Sequence, residues 1–355
     1  MRAMIVKEFR ELRRDRRTLG MLIGLPILLL IVFGYAANFS VDDVPTAVVG
    51  AQSQQVEQRI QPPLDIKILN PSDGEAQARD MLVRNEVQVA IVTGQAKPLV
   101  LIDGASLFTA QSAVAYFNRL GGQVDVEVMF NPDLKTAWVM VPAIIGLILL
   151  FIGTVVTSIG LVRERETGTL EQLAVMPIKP SSVILGKIAP YFLLAALDMA
   201  VVTLLGMWLF GVPFNGNPLV FALGAGMFLF VVLGIGVFIS TISQTAGQAI
   251  QTAFMFLLPQ ILLSGMIFPL AAIPWAVRWI SYLLPLTYFT MIAQGVMLRG
   301  SPISALWIPL LVLAVMAVLV FVGAVTRFRR NLGPSHRQIE KAADATQAQV
   351  SGSQP

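Results

Sequence analysis

The chain has 355 residues, of which 55% are hydrophobic and 13% charged, with a formal net charge of +4 and a mean hydropathy of +0.73. This composition is too apolar for a soluble globular domain of that length and indicates an integral membrane protein. With no cysteine and a single histidine, His336, the sequence excludes a disulfide framework and argues against metal clusters and histidine-dependent catalysis.

The charge is unevenly distributed along the chain. Residues 1–18 hold seven basic residues (Lys or Arg) and three acidic ones. Residues 40–137 hold seven basic and twelve acidic residues, and residues 327–341 hold five basic residues and one acidic residue. Because cytoplasmic loops carry an excess of Lys and Arg, we expect both termini in the cytoplasm and residues 40–137 outside it. This pattern predicts a multi-pass membrane protein, and a nucleic-acid partner is not expected.

Residues 1–18 are predicted to form a helix in the cytoplasmic headgroup layer, since Ile5, Phe9 and Leu12 share one face and basic residues surround the rest. Residues 19–39 follow as the first transmembrane span. A cleaved signal peptide is the competing interpretation, because basic residues precede an apolar run. The run has about 20 residues, longer than the roughly 7–15 of a signal core.

Residues 40–137 are predicted to form a small extracytoplasmic α/β domain tethered to a span at each end. Short β-branched runs bounded by Pro, Gly, Asn or Asp predict strands, and helical spacing of apolar residues predicts helices. The predicted strands are 46–50, 64–69, 87–92, 99–102 and 124–129, and the predicted helices are 75–85 and 107–120.

Residues 138–330 are predicted to hold transmembrane helices two to six. Each predicted span can cross about 30 Å of hydrocarbon at 1.5 Å per residue. These spans are 138–162, 183–210, 219–242, 248–268 and 303–325. In the fourth span, glycines allow close approach of neighbouring helices; they are Gly224, Gly226, Gly234 and Gly236.

Residues 270–300 do not have the pattern of a simple span. They contain prolines and two arginines, with Trp275 and Trp279 at helical spacing, which is typical of an interfacial or re-entrant pair. A seventh crossing would also put the basic tail outside. We therefore predict a polytopic α-helical membrane protein with six transmembrane helices, ending in a disordered cytoplasmic tail at residues 331–355.

A charged island at residues 163–182 separates the second and third spans. We predict that it forms a short helix on the membrane surface, capped by Thr167 or Thr169 and ended by Pro177 and Pro180. The alternative is a solvated loop that satisfies the charge bias of cytoplasmic segments.

These features resemble the permease of the type 2 exporter class of ATP-binding cassette (ABC) transporters, in the subgroup with a large external domain between the first two spans. The resemblance covers about residues 1–330. It rests on K-E-F-R-E-L-R-R-D-R-R-T-L at 7–19, F-N-P-D-L-K-T-A-W-V-M-V-P at 130–142, R-E-R-E-T-G-T-L-E-Q-L at 163–173, and L-L-S-G-M-I-F-P with L-P-L-T-Y-F at 262–269 and 284–289.

The resemblance implies roles for two segments. The one that matches the coupling helix, which docks on the ATPase subunit, comprises Arg163, Glu164, Arg165, Glu166, Thr167, Gly168, Thr169, Leu170 and Glu171. The one that matches the elbow helix, which also touches the ATPase, includes Lys7, Glu8, Phe9, Arg13, Arg14 and Asp15.

The resemblance also implies partners, namely two copies of an ABC ATPase and a second permease chain, identical or paralogous. Membrane lipid and a periplasmic adaptor are further candidate partners. The chain has no G-x-x-x-x-G-K-[ST] phosphate cradle, so we expect ATP and Mg²⁺ on the partner ATPase and no cofactor, metal or catalytic residue here.

Four polar residues inside the predicted spans are candidates for a transport pathway: Asp198, Gln248, Gln251 and Gln260. Asp198 is the only formal charge deep in a span, and burying it in lipid costs about 2.5–3.5 kcal/mol, so it should face protein or water. The glutamines recur along the fifth span. For all four residues the alternative is hydrogen bonding between helices.

The predicted function is therefore export of a drug, lipid or other amphipathic compound, without enzymatic activity in this chain. A receptor or anchor whose external domain binds a ligand or partner protein is the alternative; it would need a cytoplasmic effector, and the polar tail is a poor one. An intramembrane enzyme would need several polar residues that converge within the membrane, and Asp198 alone does not provide them. A secondary transporter would be expected to have more ionisable residues in its spans and an internal repeat, and the sequence shows neither.

Overall fold

The computed structural model describes residues 44–58, 60–120, 122–167 and 180–332. Several predictions lie outside these residues: the elbow helix at 1–18, the first span at 19–39, nearly all of the tail, and Gly168, Thr169, Leu170 and Glu171 of the coupling segment.

The α/β domain, called the external domain after its predicted location, contains a five-stranded sheet. Its strands are β1 (Val44–Val49), β2 (Leu64–Asn70), β3 (Val89–Val92), β4 (Leu99–Asp103) and β5 (Asp125–Met129). Their order is β2-β1-β3-β4-β5, with β3 and β4 antiparallel and the other neighbouring pairs parallel. All five predicted strands are confirmed, with bounds that differ by one or two residues.

Helices cover both faces of this sheet. They are α1 (Ser53–Glu57), α2 (Glu75–Val83) and α3 (Leu107–Asn118), of which α2 and α3 were predicted. Successive residues of a strand point to opposite faces, so Val89 of β3 packs with α3 while Ala90 packs with α2. The domain therefore has three layers and two apolar cores.

The helical part of the chain begins directly after the external domain. Its elements are α4 (Thr136–Phe151), a π-helical turn (Ile152–Val156), α5 (Thr157–Glu166), α6 (Pro180–Phe210), α7 (Pro218–Ile242), α8 (Ala246–Leu263), a 3₁₀ turn (Leu270–Ala272), α9 (Trp275–Ser281), α10 (Pro285–Gln294), a second π-helical turn (Gly295–Arg299) and α11 (Trp307–Leu332). The first three of the helical elements follow one another without a break and form one long rod.

Within the described residues, five helices are long and apolar enough to cross a membrane. They correspond to predicted spans two to six, so the described part of the chain is a polytopic membrane protein with a small α/β domain. The fifth predicted span was too long at its end: α8 stops at Leu263 because Gly265 adopts a left-handed conformation, with φ of 85°.

The region predicted to be re-entrant forms two helices joined at a sharp bend. The axes of α9 and the α10 segment differ by 78°. The first helix exposes Trp275 and Trp279, whereas α10 is buried against α4, α7 and α11. By length and composition the bent pair fits both a re-entrant loop and one broken span, so the re-entrant arrangement stays a prediction.

Helix α7 is the centre of the bundle, and its glycines allow neighbouring helices to come close. A Cβ atom added to Gly236 would collide with the carbonyl oxygen of Gly153 in the first π-helical turn. One added to Gly234 would lie 2.7 Å from Val320 Cγ1, and one added to Gly224 would lie 2.8 Å from Ile292 Cγ2. Close approach is confirmed at these glycines. At Gly226 the prediction was wrong, because the nearest atom, Phe192 Cζ, is 3.9 Å away.

All tryptophans of the chain lie at the end of the bundle that carries the external domain, hereafter the domain end. They are Trp138 at the start of α4, Trp208 near the end of α6, Trp275 and Trp279 on α9, and Trp307 at the start of α11. Tryptophan is enriched where a membrane helix meets the headgroups. This belt therefore marks the membrane surface from which the domain rises.

Candidate functional site

The described polar contacts that join separate elements of the bundle lie mainly at its two ends. At the domain end, Arg299 is the last residue of the second π-helical turn and Asp103 is the last residue of strand β4. Arg299 Nε and Nη2 donate to Asp103 Oδ2 at 3.0 and 2.7 Å. The side chains are 6% and 0% exposed, so this is a buried ion pair between the external domain and the bundle.

The ion pair has the additional hydrogen bonds that a buried charge requires. Asp103 Oδ1 accepts from the backbone nitrogen of Ala105 at 2.9 Å. Arg299 Nη2 also donates to Ser106 Oγ at 3.3 Å. Neither charge therefore depends on a single contact.

Two further hydrogen bonds join other segments to this π-helical turn and to the residues that follow it. Ser301 Oγ donates to the carbonyl of Val83 in the external domain at 2.5 Å. Asn215, in the loop between α6 and α7, donates through Nδ2 to the carbonyl of Leu298 at 2.7 Å. We call this set of contacts the domain joint. Sequence reasoning did not predict the joint.

At the opposite end of the bundle, the charged island meets α8. Glu166, the last residue of α5, accepts through Oε1 a hydrogen bond from the backbone nitrogen of Ala246 at 3.1 Å. Ala246 is the first residue of α8, and a carboxylate is favoured beside the positive end of a helix dipole. The charged island is therefore linked directly to α8 as well as to α4.

The remaining described residues of the predicted coupling segment continue α5. Arg163 is exposed, and Arg165 is helical. Thr167 Oγ1 donates to the carbonyls of Arg163 and Glu164, both at 3.1 Å. Thr167 thus follows the last residue of α5. The residues that Thr167 would cap as an N-cap, and the other candidate, Thr169, are outside the described residues, so the predicted cap stays a prediction.

The four pathway candidates are not brought together. Asp198 lies within α6, and its Oδ2 is buried without a hydrogen-bond partner among the described residues. Gln248 Oε1 accepts from the backbone nitrogen of Gln244 at 2.8 Å in the first turn of α8, whereas Gln251 is exposed. Gln260 lies in the last turn of α8, far along the helix from both.

Gln260 connects two helices. Its side chain is fully buried, and Oε1 accepts from the backbone nitrogen of Leu286 at 3.2 Å, near the start of α10. A carbonyl oxygen at this position satisfies one of the free amides of a helix N-terminus. The contact corresponds to the helix-to-helix hydrogen bonding that was the alternative to a pathway role.

One face of α4 and α8 remains exposed. Phe151 of α4 and Phe254 of α8 are 43% and 44% exposed, and their rings meet edge to face with centroids 6.3 Å apart. Gln251 and Met255 are exposed on α8 beside them. We call this surface the α4–α8 face.

An external α/β domain, a bundle of membrane helices with a bent helix pair, and a charged connector between two spans define a polytopic membrane permease. Residues 16–326 match the family described as ABC-2 family transporter protein. The chain belongs to that family and is a permease component of an ABC transporter.

Curated relatives agree with this assignment. The chain is 28% identical to the probable multidrug ABC transporter permease YbhR of Escherichia coli, over 93% of this chain and 98% of the relative. It is 28% identical to the probable multidrug ABC transporter permease YbhS of the same organism, over 91% of this chain and 94% of that relative. It is also 28% identical to ABC transporter G family member 20 of Dictyostelium discoideum, over 57% of this chain and 28% of that protein.

Proposed function

We propose that the chain forms the translocation pathway of an ABC exporter as one of two permease chains, and that a separate ATPase subunit drives it through the charged island. The observation that carries this proposal is the hydrogen bond from Ala246 to Glu166. It joins the segment that resembles the coupling helix to the start of α8.

The proposed mechanism follows from the continuity of the helices. A displacement of residues 163–171 by the ATPase passes into α4 through α5, because these helices are joined by the first π-helical turn without a break. It passes into α8 through Glu166. The π-helical turn is a point where the long rod can change its twist, as such turns often do at functional sites.

The two helices that receive this displacement also form the α4–α8 face. A helix surface against lipid does not favour an amide such as that of Gln251, so this face requires protein or water. A second permease chain on this face would place the pathway between the chains. Asp198 stays a candidate contact for a cationic group of the substrate, since its Oδ2 has no partner among the described residues.

The proposed cargo is a drug, lipid or other amphipathic compound, in agreement with the multidrug description of YbhR and YbhS. ATP and Mg²⁺ are proposed to bind to the ATPase and not to this chain. The proposed location is the bacterial inner membrane, with both termini cytoplasmic and residues 40–137 outside, where a periplasmic adaptor is a further candidate partner.

The test is to purify the tagged protein from its native membranes in mild detergent and to identify the copurifying chains by mass spectrometry. We expect a stoichiometric ABC ATPase that is lost from the Glu166→Lys variant, because reversing this charge disrupts both the connector and the start of α8. Glu86→Lys, an exposed charge reversal in the external domain, is the matched control and should keep the ATPase.

The same eluate distinguishes the alternatives. A second permease sequence would establish a heterodimer, and its absence with a dimeric mass would establish a homodimer. If no nucleotide-binding protein copurifies, the proposal fails and the receptor or anchor interpretation is favoured.

A further inference from the structure

A cleft lies between the external domain and the break that precedes α9. It encloses about 180 Å³. Its walls come from the start of α3, the start of α4, the segment that follows α8, and α10. The cleft is at the domain end of the bundle, whereas Glu166 and the first turn of α8 are at the opposite end.

The walls combine adaptable apolar side chains with polar ones. Three methionines from three different segments line the cleft, together with Leu107 and Phe108 of α3; they are Met140, Met266 and Met291. Unbranched thioether side chains adjust to ligands of different shapes and make favourable contacts with aromatic rings. An apolar cavity of about 150 Å³ holds a molecule of benzene, so this cleft has room for roughly one ring system.

Two hydroxyl groups in these walls lack hydrogen bonds. Ser264 and Thr290 both line the cleft and are 1% and 3% exposed. Neither Ser264 Oγ nor Thr290 Oγ1 has a hydrogen-bond partner among the described residues. A buried hydroxyl without a partner is destabilising, and a ligand or ordered water commonly supplies the missing bond.

Among the described residues, the cleft offers no unpaired charge. Arg299 is the only ionisable residue in this described part of the lining, and Asp103 already neutralises it in the domain joint. A ligand that brought a charge into this space would lose hydration without gaining a partner. The lining therefore selects against anions and cations.

We propose that this cleft binds an uncharged small molecule with an apolar ring and a hydroxyl or carbonyl group, which hydrogen-bonds to Ser264 and Thr290. A ligand hydroxyl both donates and accepts, so it can satisfy both side chains. The ring contacts the methionines. The site is separate from the α4–α8 face, and it does not depend on the proposed coupling to an ATPase.

The absence of cysteine makes a direct test possible, because one introduced cysteine is the only thiol in the chain. Met291→Cys places it in the wall of the cleft, and Val126→Cys places it on an exposed position of β5 as the reference. The full chain is reconstituted in lipid nanodiscs, and the rate of modification by N-ethylmaleimide is measured with and without 1-naphthol.

We expect saturating 1-naphthol to slow modification of Met291→Cys by about tenfold and to leave Val126→Cys unchanged. Adding Thr290→Val or Ser264→Ala should raise the 1-naphthol concentration that gives half protection by about fivefold, the effect of losing one neutral hydrogen bond of about 1 kcal/mol. Thr252→Val is the matched control, since its hydroxyl already donates to the carbonyl of Gln248 within α8; it should change nothing.

The charged analogue 1-naphthalenesulfonate should not protect. The proposal is overturned if 1-naphthol gives no protection, if the sulfonate protects equally, or if the hydroxyl-deleting variants keep the wild-type concentration dependence. The Ser264→Ala variant removes a single atom and serves if Thr290→Val fails to fold.

Discussion

At the scale of the residue, Arg299 holds the external domain on the bundle. Replacing it with methionine keeps most of the side-chain volume but leaves the carboxylate of Asp103 buried without its cation. Removing one partner of a buried ion pair costs about 3–5 kcal/mol. We expect Arg299→Met to lower the thermal unfolding midpoint clearly and to speed hydrogen exchange in β4, as measured by mass spectrometry.

The control for this change is Arg84→Met. Arg84 pairs with Asp80 four residues earlier on α2, and the side chains are 38% and 55% exposed. Exposed pairs contribute about 0–1 kcal/mol, so this variant should unfold near the wild-type midpoint. Adding Asp103→Asn to Arg299→Met should recover part of the loss, since the buried charge is removed. Equal effects of Arg299→Met and Arg84→Met would contradict the importance of the joint.

The contacts of these residues could not be predicted from the sequence, because the partners are far apart in the chain. Arg299 and Asp103 are 196 positions apart, and Glu166 and Ala246 are 80 apart. Each residue has a recognisable signal, such as an arginine in an apolar segment or an acid at the end of a strand. The periodicity of a sequence reports which face of an element is buried, but it does not report which distant residue covers that face.

At the scale of the element, α7 depends on the contact of Gly236 with the first π-helical turn. A valine at this position has a Cβ that would collide with the carbonyl of Gly153, a backbone atom that cannot rotate away. Overpacking of this kind costs about 1–3 kcal/mol or more. We expect Gly236→Val to lower the yield of folded protein in detergent and its unfolding midpoint.

Gly226→Val is the matched control on the same helix. The nearest atom to its Cβ is 3.9 Å away, which is ordinary contact distance, so this variant should behave like the wild type. If both variants lost stability equally, the loss would reflect glycine replacement in general and not the close approach of α7 to the π-helical turn.

Elements with a strong local signal were predicted well. The five strands are β-branched runs between Pro, Gly, Asn or Asp, and the apolar helices are long enough to be recognised by length and composition. The π-helical turn at Ile152–Val156 had no such signal, because its residues suit an α-helix equally well. The end of α8 was missed because Gly265 ends the helix inside a run that is apolar on both sides of Ser264 and Gly265.

At the scale of the whole molecule, the α4–α8 face predicts how two copies meet. Residues near a twofold axis lie close to their own counterparts in the second copy. In an exporter of two identical chains, we expect at least one single cysteine on α8 at Ile250, Gln251, Phe254 or Met255 to form a disulfide-linked dimer under mild oxidation, seen on a non-reducing gel.

A second series of cysteines provides the control. Leu311, Val315, Val318 and Leu319 of α11 are similarly exposed but carry only apolar neighbours, as expected of a surface against lipid. None of these should cross-link. Cross-links from α11 without any from α8 would place the contact between copies on the wrong face.

The tryptophan belt has a consequence for optical measurements. Since every indole of the chain lies at the domain end, its natural fluorescence arises from a single leaflet of the membrane. Movement of the external domain or of α9 changes the surroundings of these rings and should alter the emission. Movement where Glu166 meets Ala246 occurs at the opposite surface. It should not change the tryptophan emission unless a tryptophan is introduced there.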